Sequence, residues 1–171
     1  MNRRRITDII AASIIVILFF ISFELIKENK GLKRELSEEY YQLIQETYYA
    51  LSFMEHINWD ETMNNEHVQQ VFYEHQNHLD EVAFTFMMLE NDLKKLGNIL
   101  SDITFNQRMI FYQEEISEEK IQANKERIRT LTFLFQDMAD FDDGNTNWYD
   151  VLHEEDSPLI PLMETRLKYI E

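Results

Sequence analysis

The sequence has no cysteine, only three glycines and two prolines in 171 residues. The absence of cysteine excludes a disulfide framework, thiolate metal sites, iron–sulfur clusters and a lipoprotein-type acyl anchor. With so little glycine there is no phosphate-binding loop and no Gly-x-Ser-x-Gly motif, so we expect no enzyme and no cofactor. The composition, rich in leucine, isoleucine, glutamate, glutamine and lysine, predicts an all-α protein.

Positive charge is also scarce, and the formal net charge is −16. The N-terminal tail is basic, whereas the chain after its apolar run is strongly acidic. An acidic surface repels phosphate backbones and anionic lipid headgroups. We therefore expect no nucleic-acid binding, and we expect the acidic part to attract cations or a basic face of a protein partner.

One long apolar run stands near the N-terminus, where residues 9–23 carry no charge. With its flanking leucine and isoleucines it approaches the roughly 20 residues that a membrane-spanning helix needs. A signal peptide would be followed by a small-x-small cleavage site, and a buried core helix would show a polar face. The run offers no such cleavage site, and its only polar residues are Ser13 and Ser22. We predict an uncleaved signal-anchor: tail 1–8, transmembrane helix 9–26 and an acidic domain 27–171.

Basic residues flank this run on both sides, so counting them does not fix the orientation. Arg3, Arg4 and Arg5 sit in a very short tail, and large domains that follow a span are translocated largely regardless of charge. We expect the N-terminus in the cytoplasm and the C-terminal domain outside it.

Apolar residues from Val68 to Ile103 recur at alternating steps of four and three, as in the seam of a heptad repeat. This pattern predicts one long central helix, and turn signals bound its neighbours. The predicted helices are 27–58, 65–100 and 102–140, with short helices at 148–153 and 158–170. Three long helices of similar length joined by short turns predict an antiparallel three-helix bundle, with a four-helix bundle as the alternative, continuous with the transmembrane helix.

Two groups of residues have the chemistry of metal ligands. His67, Glu74, His78 and Glu81 share one face of the central helix and could bind Zn²⁺ or Cu²⁺, although a solvated polar flank is the better explanation. No Glu-x-x-His motif of the di-metal bundles occurs in the sequence. The acidic stretch 140–147 has oxygen ligands that suit Ca²⁺, but the EF-hand order fails, so a helix stop is the better interpretation.

The two tryptophans are predicted to lie together at the end of the bundle farthest from the membrane. Aromatic residues ringed by charge resemble interaction hot spots. The alternative is that both indoles simply cap the core. The predicted partner-binding residues are Trp59, Asp60, Glu61, Asp142, Asp143 and Trp148.

These observations predict a non-catalytic, single-pass membrane protein whose helical domain acts as a scaffold, adaptor or sensor through protein–protein contacts. Tyr41 and Tyr49 lie off the main apolar stripe of the first helix and suggest a homodimer contact. The alternative function is an extracytoplasmic domain that binds or senses a divalent cation. A small-molecule sensor is a third interpretation, which requires a pocket between helices.

Overall fold

The computed structural model describes residues 3–112 and 117–168, with side chains from Leu18 onward. The described chain is helical without strands, which confirms the all-α prediction. Its helices are α1 (Arg3–Glu55), α2 (Trp59–Asn64), α3 (Glu66–Met87), α4 (Lys94–Tyr112), α5 (Glu118–Asp140), α6 (Trp148–His153) and α7 (Leu159–Leu167).

Helix α1 is a single helix of 53 residues, roughly 80 Å long. Its C-terminal half contributes Ile44, Leu51 and Met54 to the core. Nearer the N-terminus, large apolar side chains between Leu18 and Leu32 are exposed. One helix therefore links the bundle to the N-terminal apolar segment.

The predicted central helix 65–100 is wrong as a continuous element. Helix α3 ends at Met87, the chain reverses through residues 88–93, and α4 packs back against α3 as a hairpin. Leu89 and Leu93, which lie in the reversal, are both buried in the core. The apolar spacing therefore continues through the turn although the helix does not.

The predicted helix 102–140 is also divided. Helix α4 ends at Tyr112, and α5 begins after Ser117, whose hydroxyl oxygen caps the helix by accepting a hydrogen bond from the Lys120 backbone N–H at 3.2 Å. Helices α4 and α5 pack side by side, so the chain changes direction between them. The two predicted long helices thus become three shorter ones.

The C-terminal half of α1 and helices α3, α4 and α5 form an antiparallel four-helix bundle. Phe53 stacks near His75 on α3, and Thr47 approaches His78 one turn lower, so α1 and α3 run in opposite directions. On the other side of α3, Asp80 binds Thr104 of α4, and Tyr73 contacts Tyr112. Helix α5 returns against α1.

The two short C-terminal helices cover the sides of the bundle. Helix α6 packs on α1 and has the predicted bounds, because Asn147 accepts a hydrogen bond from the Asp150 backbone N–H as an N-cap. Helix α7 packs on α5 and is shorter than the predicted 158–170. Its Leu159 and Met163 are buried.

The predicted transmembrane helix 9–26 lies in the N-terminal part of α1, and the side chains of its first nine residues are outside the described ones. Within the portion of the chain that the structure does describe, we find no helix with both the length and the apolarity that a membrane crossing requires.

Candidate functional site

The tryptophans lie at opposite ends of the bundle, so their predicted juxtaposition is wrong. Trp148 is 2% exposed and stacks on Tyr41, while its backbone N–H donates to the Ser37 hydroxyl oxygen at 2.7 Å. Trp59 follows the C-terminus of α1 and packs edge-on against Phe72. Trp148 contacts α1 at Tyr41, and Trp59 lies just after the end of α1 at Glu55. These two positions on α1 are 14 residues apart, which corresponds to roughly 20 Å of helix.

The cause of this error is the extra hairpin. Sequence reasoning allowed α1 only two partners, so the chain would have reached Trp148 at the far end. The reversal at residues 88–93 adds a fourth helix to the bundle. Helix α5 therefore ends at the end of the bundle where α1 enters it. There the indole of Trp148 covers the core, as the alternative interpretation proposed for both rings.

The acidic partners of the predicted hot spot are separated in the same way. Asp60 and Glu61 lie in the first turn of α2, where negative charge favours the helix N-terminus. Asp142 and Asp143 lie in the loop before α6 and accept hydrogen bonds from the backbone N–H groups of Gly144 and Asn145. These bonds, with Gly144 at a φ of 82°, are those of a tight turn that ends α5.

The histidine face of α3 is spread along the helix. His67 is exposed at the first turn, and 11 residues, about 16 Å of helix, separate it from His78. The Glu74 carboxylate accepts a hydrogen bond from the Gln70 side chain at 2.9 Å, and Glu81 is exposed. Across the residues that the structure describes, no three histidine or carboxylate side chains converge in a group that could hold a metal ion.

Two histidines are instead half-buried between α1 and α3. His78 lies 3.4 Å from the Thr47 hydroxyl through Nε2 and 3.9 Å from the Glu46 carboxylate through Nδ1. Burial lowers the pKa of His78, although Glu46 and Glu81 oppose the change. Burial also lowers the pKa of His75, with a further contribution from His78. Both imidazoles are therefore favoured in the neutral form inside the fold.

A groove of about 380 Å³ opens between α4 and α5. Its α4 side carries Phe105, Asn106, Met109 and Ile110, and its α5 side carries Lys120, Ala123, Asn124 and Arg127. Apolar surface thus alternates with two cationic and two amide side chains. This combination is what small-molecule pockets in proteins present, at the lower end of their usual volume range.

Polar atoms without partners lie at this groove and beneath it. The Oδ1 atom of Asn124 and the Nε atom of Arg127 are buried and make no hydrogen bond within the described chain. The side-chain amides of Gln76 and Gln107 are also fully buried without partners. The Asp80–Thr104 and Tyr73–Tyr112 contacts bracket these two glutamines, so they lie at one level of the α3–α4 interface. A buried polar group without a partner is uncommon and needs an explanation.

The groove was not predicted from the sequence, because residues 102–140 were predicted to form one helix. A signal was nevertheless present: Lys120, Asn124 and Arg127 fall at steps of four and three, which places them on one face of α5. Their partners on α4 could be identified only once the hairpin was known.

A second polar contact region lies where α1 leaves the bundle. The Lys33 ammonium group contacts the Asp150 carboxylate at 2.9 Å, and Trp148 is bonded to Ser37 one turn further along α1. Asn91, in the α3–α4 reversal, donates to the carbonyl oxygens of Leu152 and Glu154. Helix α6 therefore ties the lower part of α1 to the hairpin that carries the groove.

Comparisons of the chain with protein-family models, with curated proteins and with solved structures find no match.

Proposed function

We propose that this protein is a non-catalytic, single-pass membrane protein whose helical bundle acts as a scaffold, adaptor or sensor. The observation that carries the proposal is the form of α1, a single helix whose N-terminal part exposes apolar side chains and whose C-terminal part builds the core. A helix of this kind joins a membrane anchor rigidly to a binding domain.

The exposed apolar side chains support the anchor. Between 51% and 69% of each large apolar residue from position 18 to 26 is exposed, and they point to every side of the helix: Leu18, Phe19, Phe20, Ile21, Phe23, Leu25 and Ile26. Exposure of such a continuous apolar surface to water is unfavourable in free energy, whereas the hydrocarbon core of a bilayer covers all sides of a helix. Together with the uncharged residues before them, they approach the length of a span.

The lengths of the segments on either side of the span support an orientation with the N-terminus in the cytoplasm. Basic residues stand on both sides of the span, but Arg3, Arg4 and Arg5 sit in a very short tail, whereas a large domain follows the span. Large domains that follow a span are translocated largely regardless of their charge. In this orientation the bundle is extracytoplasmic.

The contacts of α6 support a sensor among the three roles. They connect α1 at Lys33 and Ser37 to the hairpin of α3 and α4 through Asn91. A change in the packing of α4 thus has a direct route to the part of α1 that leaves the bundle. Physical contact of this kind is what transmission between a binding domain and an anchor requires.

Membrane extraction of the full chain tests the anchor. The wild-type chain is expected to remain in the membrane pellet at alkaline pH and to enter solution only in detergent. The double variant Leu18→Glu/Ile21→Glu is expected to move to the supernatant, because each carboxylate disfavours insertion by a few kcal/mol. Tyr49→Glu is the matched control, since Tyr49 is 65% exposed but lies on the bundle. A wild-type chain that is soluble without detergent would overturn the anchor.

Cysteine labelling tests the orientation, because the chain has no cysteine of its own. In intact cells an impermeant thiol reagent is expected to label Asn64→Cys, which is exposed at the end of α2, and to spare Asn2→Cys. The reverse labelling pattern would contradict the proposed orientation but leave the anchor intact.

A further inference from the structure

We infer that the α4–α5 groove binds a small anionic ligand made of an apolar group, an amide N–H and a carboxylate. An N-acylated apolar amino acid has this chemistry, and so does the C-terminal residue of a peptide. The inference deepens the proposed function by naming a ligand class for the sensor, and it does not depend on the membrane anchor.

The first reason is the pattern of charge. The protein carries a net charge of −16, yet the groove holds Lys120 and Arg127 on one face of α5. Neither forms an ion pair with another residue of the described chain, whereas Arg108, Arg129 and Arg166 each contact a carboxylate. Two cations beside one cavity favour a carboxylate, which guanidinium groups bind with strong, directional hydrogen bonds.

The second reason is the buried acceptor on the same face. Asn124 lines the groove and is 6% exposed, and its Oδ1 atom has no hydrogen-bond partner in the described chain. An acceptor in this position lacks a donor, and a simple carboxylate does not supply one. An amide N–H next to a carboxylate does, and the carboxylate can accept a hydrogen bond from the buried Arg127 Nε–H group, which has no partner in the described chain.

The third reason is the apolar wall opposite these groups. Phe105 and Met109 line the α4 side and are exposed without a covering helix. An aromatic or aliphatic side chain of the ligand would cover them, and methionine adapts readily to such surfaces. The volume of about 380 Å³ suits one amino-acid residue rather than a longer segment.

The test uses the full chain with ¹³C-labelled methionine methyl groups, in lipid nanodiscs when the chain is extracted only by detergent and in buffer when it is soluble without detergent. The probe is N-acetyl-phenylalanine, which is water-soluble and carries all three chemical features. We expect saturable shifts of the Met109 methyl signal, while Met54, buried in the core away from the groove, stays unchanged. No shift of Met109 at 10 mM (about the weakest affinity of interest) would overturn the inference.

Two analogues separate the chemical features of the ligand. N-acetyl-phenylalaninamide lacks the carboxylate, and 3-phenylpropionate lacks the amide. Each is expected to bind about tenfold more weakly, because a hydrogen bond to a charged or buried group is lost. If N-acetyl-phenylalaninamide binds as tightly as N-acetyl-phenylalanine, the groove does not recognise a carboxylate. If 3-phenylpropionate binds as tightly, Asn124 does not have the role given to it.

Variants of the same helix supply the matched comparison. Arg127→Gln and Lys120→Gln are each expected to weaken the binding of N-acetyl-phenylalanine by about tenfold or more. Arg129→Gln, two positions further on and paired with Glu55 away from the groove, should bind like the wild type. An equal loss in Arg129→Gln would show a general charge effect and overturn the site.

A pentapeptide that ends in phenylalanine with a free carboxylate distinguishes the two sources of the ligand. Binding as tight as that of N-acetyl-phenylalanine assigns the peptide terminus, and weaker binding assigns the free acyl amino acid. Failure of every ligand leaves the membrane extraction result untouched, so the ligand class and the anchor fail separately.

Discussion

The side-chain nitrogen of Asn91 donates a hydrogen bond of 2.7 Å to the backbone carbonyl oxygen of Leu152, 61 residues further along the chain. A second bond of 2.8 Å reaches the carbonyl oxygen of Glu154. The amide oxygen of the same residue accepts a bond from the Leu93 backbone N–H at 3.0 Å. One buried side chain thus fixes both the α3–α4 reversal and the end of α6.

Replacing this residue should destabilise the bundle. Asn91→Ala removes the donor to the Leu152 and Glu154 carbonyl oxygens, and the bond to Leu152 is buried, so we expect the variant to lower the free energy of unfolding by about 1–3 kcal/mol. Urea denaturation of the purified full chain measures the loss. Asn64→Ala, at an exposed position of α2, should change stability by less than about 1 kcal/mol. Equal stability of the Asn91 variant and the wild type would show that these bonds contribute nothing.

The close approach of α3 and α4 at Gly97 gives a second prediction. A Cβ atom at this position would lie 2.5 Å from the Ala83 carbonyl oxygen and 2.6 Å from the Met87 backbone nitrogen. Because backbone atoms cannot move aside cheaply, Gly97→Ala should destabilise the protein by about 2 kcal/mol, measured by the denaturation midpoint. Gly31→Ala is the matched control: it meets open space within α1 and should raise stability by about 0.5–1 kcal/mol through helix propensity.

The buried glutamine of α4 gives a prediction of opposite sign. Gln107 is fully buried, and neither atom of its amide has a hydrogen-bond partner among the residues that the structure describes. Gln107→Leu removes two unsatisfied polar atoms at similar volume, so we expect a gain of about 1–3 kcal/mol in the free energy of unfolding. Gln122→Leu, on the exposed face of α5, should leave stability within about 0.5 kcal/mol. A destabilised Gln107 variant would mean that the amide has a partner in solution.

The half-buried histidine of α3 predicts a pH dependence. Because burial lowers the pKa of His78 below its usual 6.5, the unfolded chain takes up the proton first as the pH falls. Stability is therefore lost as the pH falls from about 7 through 6.5 towards the lowered value. His78→Gln should flatten this slope between pH 7.5 and 5.5 in thermal denaturation, because glutamine does not titrate in this range.

The charged groups around this histidine set the control for the pH experiment. Glu46 and Glu81 face His78 and favour its protonated form, and His75 lies on the same helix. Other carboxylates titrate in the same experiment, so the informative quantity is the difference between the variant and wild-type slopes. Asn77→Gln, at the exposed position directly before His78, changes no titratable group and should keep the wild-type slope. A slope unchanged in His78→Gln would assign the pH dependence to other groups.

The sequence predicted which residues form the core better than it predicted where the helices end. Nearly all of the apolar seam from Phe72 to Ile103 is buried. The break at residues 88–93 was missed because Leu89 and Leu93 continue the seam through the turn. Residues 90–92, Glu-Asn-Asp, were the only local turn signal, and the long apolar pattern outweighed them.

Because the break at residues 88–93 was missed, the residues of the groove were not predicted either. Helix α6, which Asn147 caps, was predicted with its observed bounds, whereas α2, which Asn58 caps, was not predicted as a helix. Gln107 lies outside the apolar seam of the sequence, yet it is fully buried. The groove needed two facts that no local pattern contains: that α4 and α5 are separate helices, and that Phe105 and Arg127 face each other across them. Both follow from tertiary packing and not from spacing along the chain.

The unbroken course of α1 makes residue count a structural variable. Between Ile26 and Lys33 nothing interrupts the helix, so a single inserted residue would turn the whole bundle by about 100° and raise it by 1.5 Å with respect to the N-terminal segment. An insertion of seven residues would restore nearly the original facing at a greater height. The length of this segment therefore determines the direction, around the axis of α1, in which the α4–α5 groove faces.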